Sequence, residues 1–167
     1  DHQTAATRIH DLADPHLDDQ TLRARYNIAD TRDWNLQKAR QMDIRNVTPT
    51  HCIYRPFDMR YMLYGAFAFD YHRPEVNNHL LSPNLALITT RQTKEAFSVF
   101  VTDKPAGQHK LATPYDGSYL SPLYLYPDGK VPALLFEYED GRRPNLSARF
   151  IGDVEQRLGL IFVPDGA

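Results

Sequence analysis

The stretch Tyr54-Arg55-Pro56-Phe57-Asp58-Met59-Arg60-Tyr61-Met62-Leu63-Tyr64 sets two arginines among four aromatic side chains. A guanidinium offers a planar fork of donors that meets a phosphate, or O6 and N7 of guanine, through two bonds at once. Pro56 fixes its own φ and biases Arg55 toward extended backbone, so the turn is stiff. Asp58 is able to bond the backbone two residues on, or to fork with Arg55 or Arg60. The competing reading is internal, an Arg–Asp pair with aromatics packed as core. Phe57 reads better as core, whereas Arg55 and Arg60 fit either role equally.

A second cluster, Thr89-Thr90-Arg91-Gln92-Thr93-Lys94, follows an apolar β-prone run, Leu85 to Ile88. Arg, Gln, Thr and Lys are all competent for base or phosphate contacts, and strand-end loops commonly carry binding groups. An ordinary polar loop has the same composition. Gln108-His109-Lys110 and Tyr115-Asp116-Gly117-Ser118-Tyr119 show the same character more weakly.

Other chemistry finds little support. The chain has no GxGxxG, no GxxxxGK(S/T) and no GxSxG, so neither a phosphate cradle nor a nucleophile elbow is indicated. Cys52 is the sole cysteine, and His51, His72, His79 and His109 lack HExxH or HxxxH spacing, so no metal site is assigned. Glu137, Glu139 and Asp140 run into Gly141-Arg142-Arg143-Pro144 and read as a solvated strand end with arginine partners. A stand-alone metal-dependent nuclease would need a PD-(D/E)xK pattern, and none is evident.

Elements able to position the two clusters can be read along the chain. Residues 1–19 look polar and irregular, with Asp18 and Asp19 placed to cap a helix over Leu22 to Ile28. Asp33 is a second cap, opening a helix through Trp34, Leu36, Lys38, Ala39 and Met42, and Pro49 lies shortly past its end. His51 to Tyr54 and Tyr61 to Tyr64 are β-prone on either side of the Arg55–Asp58 turn. Pro74 starts a short helix through Leu81. Leu85 to Thr90, Ser98 to Thr102, Tyr119 to Tyr126 and Pro132 to Tyr138 read as strands, the last two joined by a turn over Pro127-Asp128-Gly129-Lys130. A closing helix spans Leu146 to Leu158, with Phe150, Ile151, Val154 and Leu158 on one side. The expected class is α+β, a mixed or mainly antiparallel sheet flanked by three to four short helices.

The bulk properties agree with a folded domain. In 167 residues, 42% are hydrophobic and 24% charged, which supports a real core and argues against a disordered tail. No apolar run is long enough to span a bilayer, and the first residues lack the basic n-region and apolar core of a signal peptide. One cysteine fits a reducing, cytoplasmic home. The net charge of −2 excludes a bulk electrostatic footprint, although residues 51–115 carry 7 Lys and Arg against 5 Asp and Glu. The chain opens without Met and stops at Asp165-Gly166-Ala167, and so reads as a piece of a longer one.

YRPFDMRYMLY, HRPEVNNHLL, NLALITTRQTKEAFSVFVTD, DGSYLSPLYLYPD and GRRPNLSARFIGDVEQRLGLIFVPDG follow one another after a DWNLQKAR helix. Together these blocks resemble the C-terminal region of large single-chain restriction–modification proteins, the type ISP enzymes and their type IIG-like relatives. The resemblance covers residues 7–167. It implies an adenine-N6 DNA methyltransferase upstream, with S-adenosylmethionine bound there, and a parent that is a site-specific methyltransferase with or without restriction nuclease activity. The (N/D)PP(Y/F) loop and an FxGxG-like cofactor motif are absent, since Ser82-Pro83-Asn84 and Thr113-Pro114-Tyr115-Asp116 are not that loop. No cofactor is therefore expected in this fragment.

By resemblance, residues 1–49 are a helical lead-in from the methyltransferase side and residues 50–167 an α/β DNA-specificity module. The expected partners are double-stranded DNA and the methyltransferase domain. The residues assigned to DNA are Arg55, Arg60 and Lys94, in phosphate or turn-stabilising roles, and Arg91 and Gln92, in base-edge readout. The alternative is a scaffold that docks the specificity elements to the methyltransferase core without touching DNA.

Overall fold

Four of the five helices among the described residues begin on a side chain that satisfies an otherwise orphaned backbone N–H. Asp1 accepts from Thr4 N at 2.7 Å to start α1 (His2–Ala13), and Asp18 accepts from Thr21 N at 2.7 Å to start α2 (Asp19–Tyr26). Asn35 accepts from Lys38 N at 3.0 Å for α3 (Leu36–Gln41), and Ser147 from Phe150 N at 3.1 Å for α5 (Ala148–Leu158). Each such cap contributes about 1 kcal/mol. The computed structural model describes residues 1–31, 34–65, 72–90, 99–107, 111, 117–127 and 141–163.

α1, α2 and α3 close over one apolar cluster, Leu12, Leu22, Leu36 and Ile44, with Tyr26, Trp34, Val47 and Leu63 packed around it. Polar contacts lock the helices together at the rim. Asp11 accepts from Arg25 Nη1 at 2.7 Å and from the Tyr26 hydroxyl, which hold its carboxyl below the usual carboxylate range. Asp30 takes the Arg23 fork and also accepts from Leu36 N at 3.0 Å. The N-terminal helix corrects the reading of residues 1–19 as irregular. Its buried face is only Ile9 and Leu12, too sparse to stand out as a periodic stripe.

β1 (Thr50–Arg55) and β2 (Asp58–Met62) form an antiparallel hairpin with a two-residue loop, in which Cys52 faces Arg60 and Ile53 faces Met59. The register shifts at Tyr54, leaving it as a bulge. The hairpin spans two cores, because Ile53 belongs to the sheet cluster while Leu63, just past β2, packs on the helical one. Cys52 lies fully buried on β1, and burial pushes its thiol up to about 12. A thiol so far from ionising is a poor nucleophile. Iodoacetamide at pH 8 is therefore expected to leave Cys52 unmodified in the native protein and to label it stoichiometrically in 6 M guanidinium, read by intact mass.

The second core is built on β3 (Ala86–Thr89), the centre of an antiparallel sheet in the order β4-β3-β5, where β4 is Phe100–Thr102 and β5 is Tyr119–Pro122. Ala86 and Ile88 point into a cluster with Ile53, Leu80, Ala106, Leu111 and Leu120, while Leu87 and its partner Val101 face outward. Before the sheet, Pro74 opens α4 (Pro74–Asn77), which tightens into a 3-10 turn over Asn78–Leu80. The run from Tyr119 to Tyr126 is not one strand. It breaks at Leu123 into β5 and β6 (Tyr124–Leu125), and β6 pairs with β7 (Arg143–Pro144).

Two asparagines bind these parts. Asn77, 1% exposed, donates to His72 O at 2.8 Å and Ala106 O at 3.1 Å, and accepts from Ala106 N at 2.9 Å. Asn84 does the same for β6, donating to His79 O at 2.9 Å and Tyr124 O at 2.8 Å and accepting from Tyr124 N at 3.1 Å. The Ala106 segment in turn meets β1, since Ile53 N donates to Pro105 O at 2.9 Å. The class is α+β, with five helices and small antiparallel sheets among the described residues. α5 forms where its period places it, yet none of its residues is buried, and Phe150 and Leu158 stand exposed. The Asp33 cap, Ser98 and the strand over Pro132 to Tyr138 lie outside the described residues.

Candidate nucleic-acid interface

The β1–β2 loop is Pro56-Phe57 between Arg55 and Asp58. Proline at the second position of a turn suits φ near −65°, and the third position here has φ +63° at Phe57. That is the pattern of a type II turn, whose third residue is ordinarily Gly or Asn. Phe57 is 93% exposed, so it is not the core residue its hydrophobicity suggested. Its one described ring contact is an edge-on approach to Phe100, with centroids 6.1 Å apart.

Tyr54, displaced by the bulge, is a platform for both arginines. The Arg55 guanidinium lies 4.4 Å from its ring centroid and that of Arg60 4.0 Å. Such contacts hold cations in place without neutralising them. Arg55 Nη1 also donates to Tyr54 O at 3.0 Å. Arg60 forks onto Asp58 at 2.7 to 3.1 Å, which lowers the carboxyl pKa and raises that of the guanidinium. Arg60 thus braces the turn through Asp58, while its side chain keeps 55% exposure.

The structure brings Arg55 and Arg60 together at one tip. Arg91, Gln92 and Lys94 lie outside the described residues. Their described flanks belong to the same end of the sheet: Ile88 pairs with Phe100, and it is Phe100 that meets Phe57. Sequence reasoning missed two residues of this tip, Tyr54 as platform and Phe57 as exposed apex. The signal for the apex was its position directly after Pro56 in a two-residue loop, where backbone geometry outweighs hydrophobicity. Among the described residues no group of three or more His, Cys, Asp or Glu is arranged to hold a metal ion, and no described helix is long and apolar enough to cross a membrane.

The hairpin tip thus carries two guanidiniums stacked on Tyr54 and an exposed aromatic ring at Phe57. The chain belongs to the family of the type ISP C-terminal specificity domain, whose model matches residues 1–165. Its role is therefore that of a specificity domain in a restriction–modification enzyme, where such domains serve target recognition. No curated protein and no solved structure matches the chain.

Proposed function

We propose that this domain contacts duplex DNA through the β1–β2 tip and residues 91–94, positioning an adenine-N6 methyltransferase in the same parent chain on its site. S-adenosylmethionine would bind in that methyltransferase, and the enzyme would work in the cytoplasm. The observation that carries the reading is the pair of guanidiniums stacked on Tyr54 beside an exposed ring, within a domain of the specificity family. Arg55, Arg60 and Lys94 supply phosphate contacts that set register, and Arg91 and Gln92 read base edges. Residues 1–49 lead in from the methyltransferase and residues 50–167 form the specificity module.

The test is a selection from a randomised duplex pool at about 50 mM and 200 mM salt, with the enzyme carrying the domain. An enriched motif is expected at both. Arg91→Ala should then cost about 1–3 kcal/mol and relax the motif at one position. Arg60→Ala should weaken binding to all sequences alike and lower the salt slope by about one. No binding at either salt would sink the reading. The scaffold alternative is favoured by one observation, the exposed apolar side of α5. It requires Arg55→Ala to lower the melting temperature with no change in DNA affinity.

A further inference from the structure

We infer that Phe57 is a wedge that enters a base step of the bound duplex, flanked by Arg55 and Arg60 on its phosphates; this rests on the DNA-recognition reading above. The inference starts from two costs met at one residue. A benzyl side chain at φ +63° sits in the left-handed region, which bulky residues rarely adopt and glycine adopts freely. The same ring is 93% exposed, so the folded domain recovers almost no burial from it. Strain and bare apolar surface at one position mark a group kept for a partner.

The surroundings specify the partner. Arg55 precedes the loop and Arg60 follows it, both stacked on Tyr54, and the two outnumber Asp58, the acidic residue between them. An exposed apolar ring in a loop flanked along the chain by a half-buried Arg55 and an exposed Arg60 matches a duplex, whose π faces lie inside and whose phosphates lie outside. The apolar groove of a protein would need the ring but not the guanidiniums. The two-residue loop and Pro56 also make the apex narrow and stiff, as insertion between stacked bases demands. Apolar wedges of this kind partly unstack a step and kink the duplex.

The test uses the intact enzyme that carries the domain and a duplex bearing its selected site, with 2-aminopurine substituted at successive positions. Wild-type protein is expected to raise the fluorescence several-fold at one step. Phe57→Gly should abolish that rise and weaken binding about 10- to 100-fold, the range for losing one stacked aromatic. Its melting temperature should equal or exceed the wild type's, because glycine relieves the positive φ. Phe57→Trp should restore both fluorescence and affinity. If wild type binds and Phe57→Gly matches it in affinity and fluorescence, the wedge is wrong and DNA recognition stands. If Phe57→Gly instead frees the domain to limited proteolysis with DNA binding unchanged, the ring docks on protein and the wedge is overturned. If wild type binds no duplex, the DNA reading fails and the wedge with it.

Discussion

Asn77→Asp is expected to destabilise the domain by about 3 kcal/mol or more at pH 7, enough to remove much of the 5–15 kcal/mol typical of a folded domain. The amide is matched on both sides. Its oxygen accepts from Ala106 N, and its nitrogen donates to the carbonyls of His72 and Ala106. A carboxylate keeps the first bond and turns the second oxygen against two carbonyl oxygens, in a site that is 1% exposed to water. The introduced carboxyl must therefore be protonated to fit, so its pKa in the folded state rises above the unfolded value. The sign follows from linkage. Over that interval the folded state binds more protons than the unfolded state, so the variant loses stability as pH rises, by about 1.4 kcal/mol per pH unit until the raised pKa is passed. Urea melts at pH 4 and pH 7 check this, and equal deficits at the two pH values would refute it. Asn77→Ala removes the clash but strands the Ala106 N–H, and should cost about 1–3 kcal/mol without the pH slope.

The consequence reaches the tip. Asn77 holds Ala106, and the neighbouring Pro105 carbonyl accepts from Ile53 N, so α4 sets where β1 lies. Loss of the Asn77 bonds should therefore loosen the hairpin that carries Arg55 and Phe57. Faster amide exchange at Ile53 than at Leu22 in Asn77→Ala would report that loosening.

Leu36→Ala should cost about 2–5 kcal/mol through lost transfer energy and the cavity left behind. Leu36 is 0% exposed at the first position of α3, enclosed by Leu12, Leu22 and Ile44. Its backbone N–H donates to Asp30, so the side chain sits on a fixed helix start and the site cannot collapse freely. Leu63 packs on this cluster directly after β2 and ties the helical core to the hairpin. The denaturation midpoint is accordingly expected to fall with the slope unchanged. A second transition in the variant would show that the helical core melts apart from the rest.

Local signals carried much of the architecture. Asp18 announces a helix start because a cap needs only its own side chain and an N–H three residues on. The hairpin was legible for a similar reason: β-prone runs flank a Pro-containing turn of fixed chirality. α1 was not legible, because two buried residues suffice to dock it and give no periodic stripe. Asn77 and Asn84 were not legible either, since their partners lie 29 and 40 residues away.

At the β1–β2 tip, residue types alone determined that arginines and aromatics would share a stiff turn, and the ordered blocks around it carried the family. Proximity in the chain left Asp58 to fork with Arg55 or Arg60, and the fold chose Arg60. Whether Phe57 faced core or solvent was decided only in three dimensions. Hydrophobicity is a property of the side chain, but its direction here follows from the positive φ of a two-residue loop and from the bulge at Tyr54. Those two backbone features exist only once β1 has paired with β2 and Ile53 has docked on the Pro105 carbonyl.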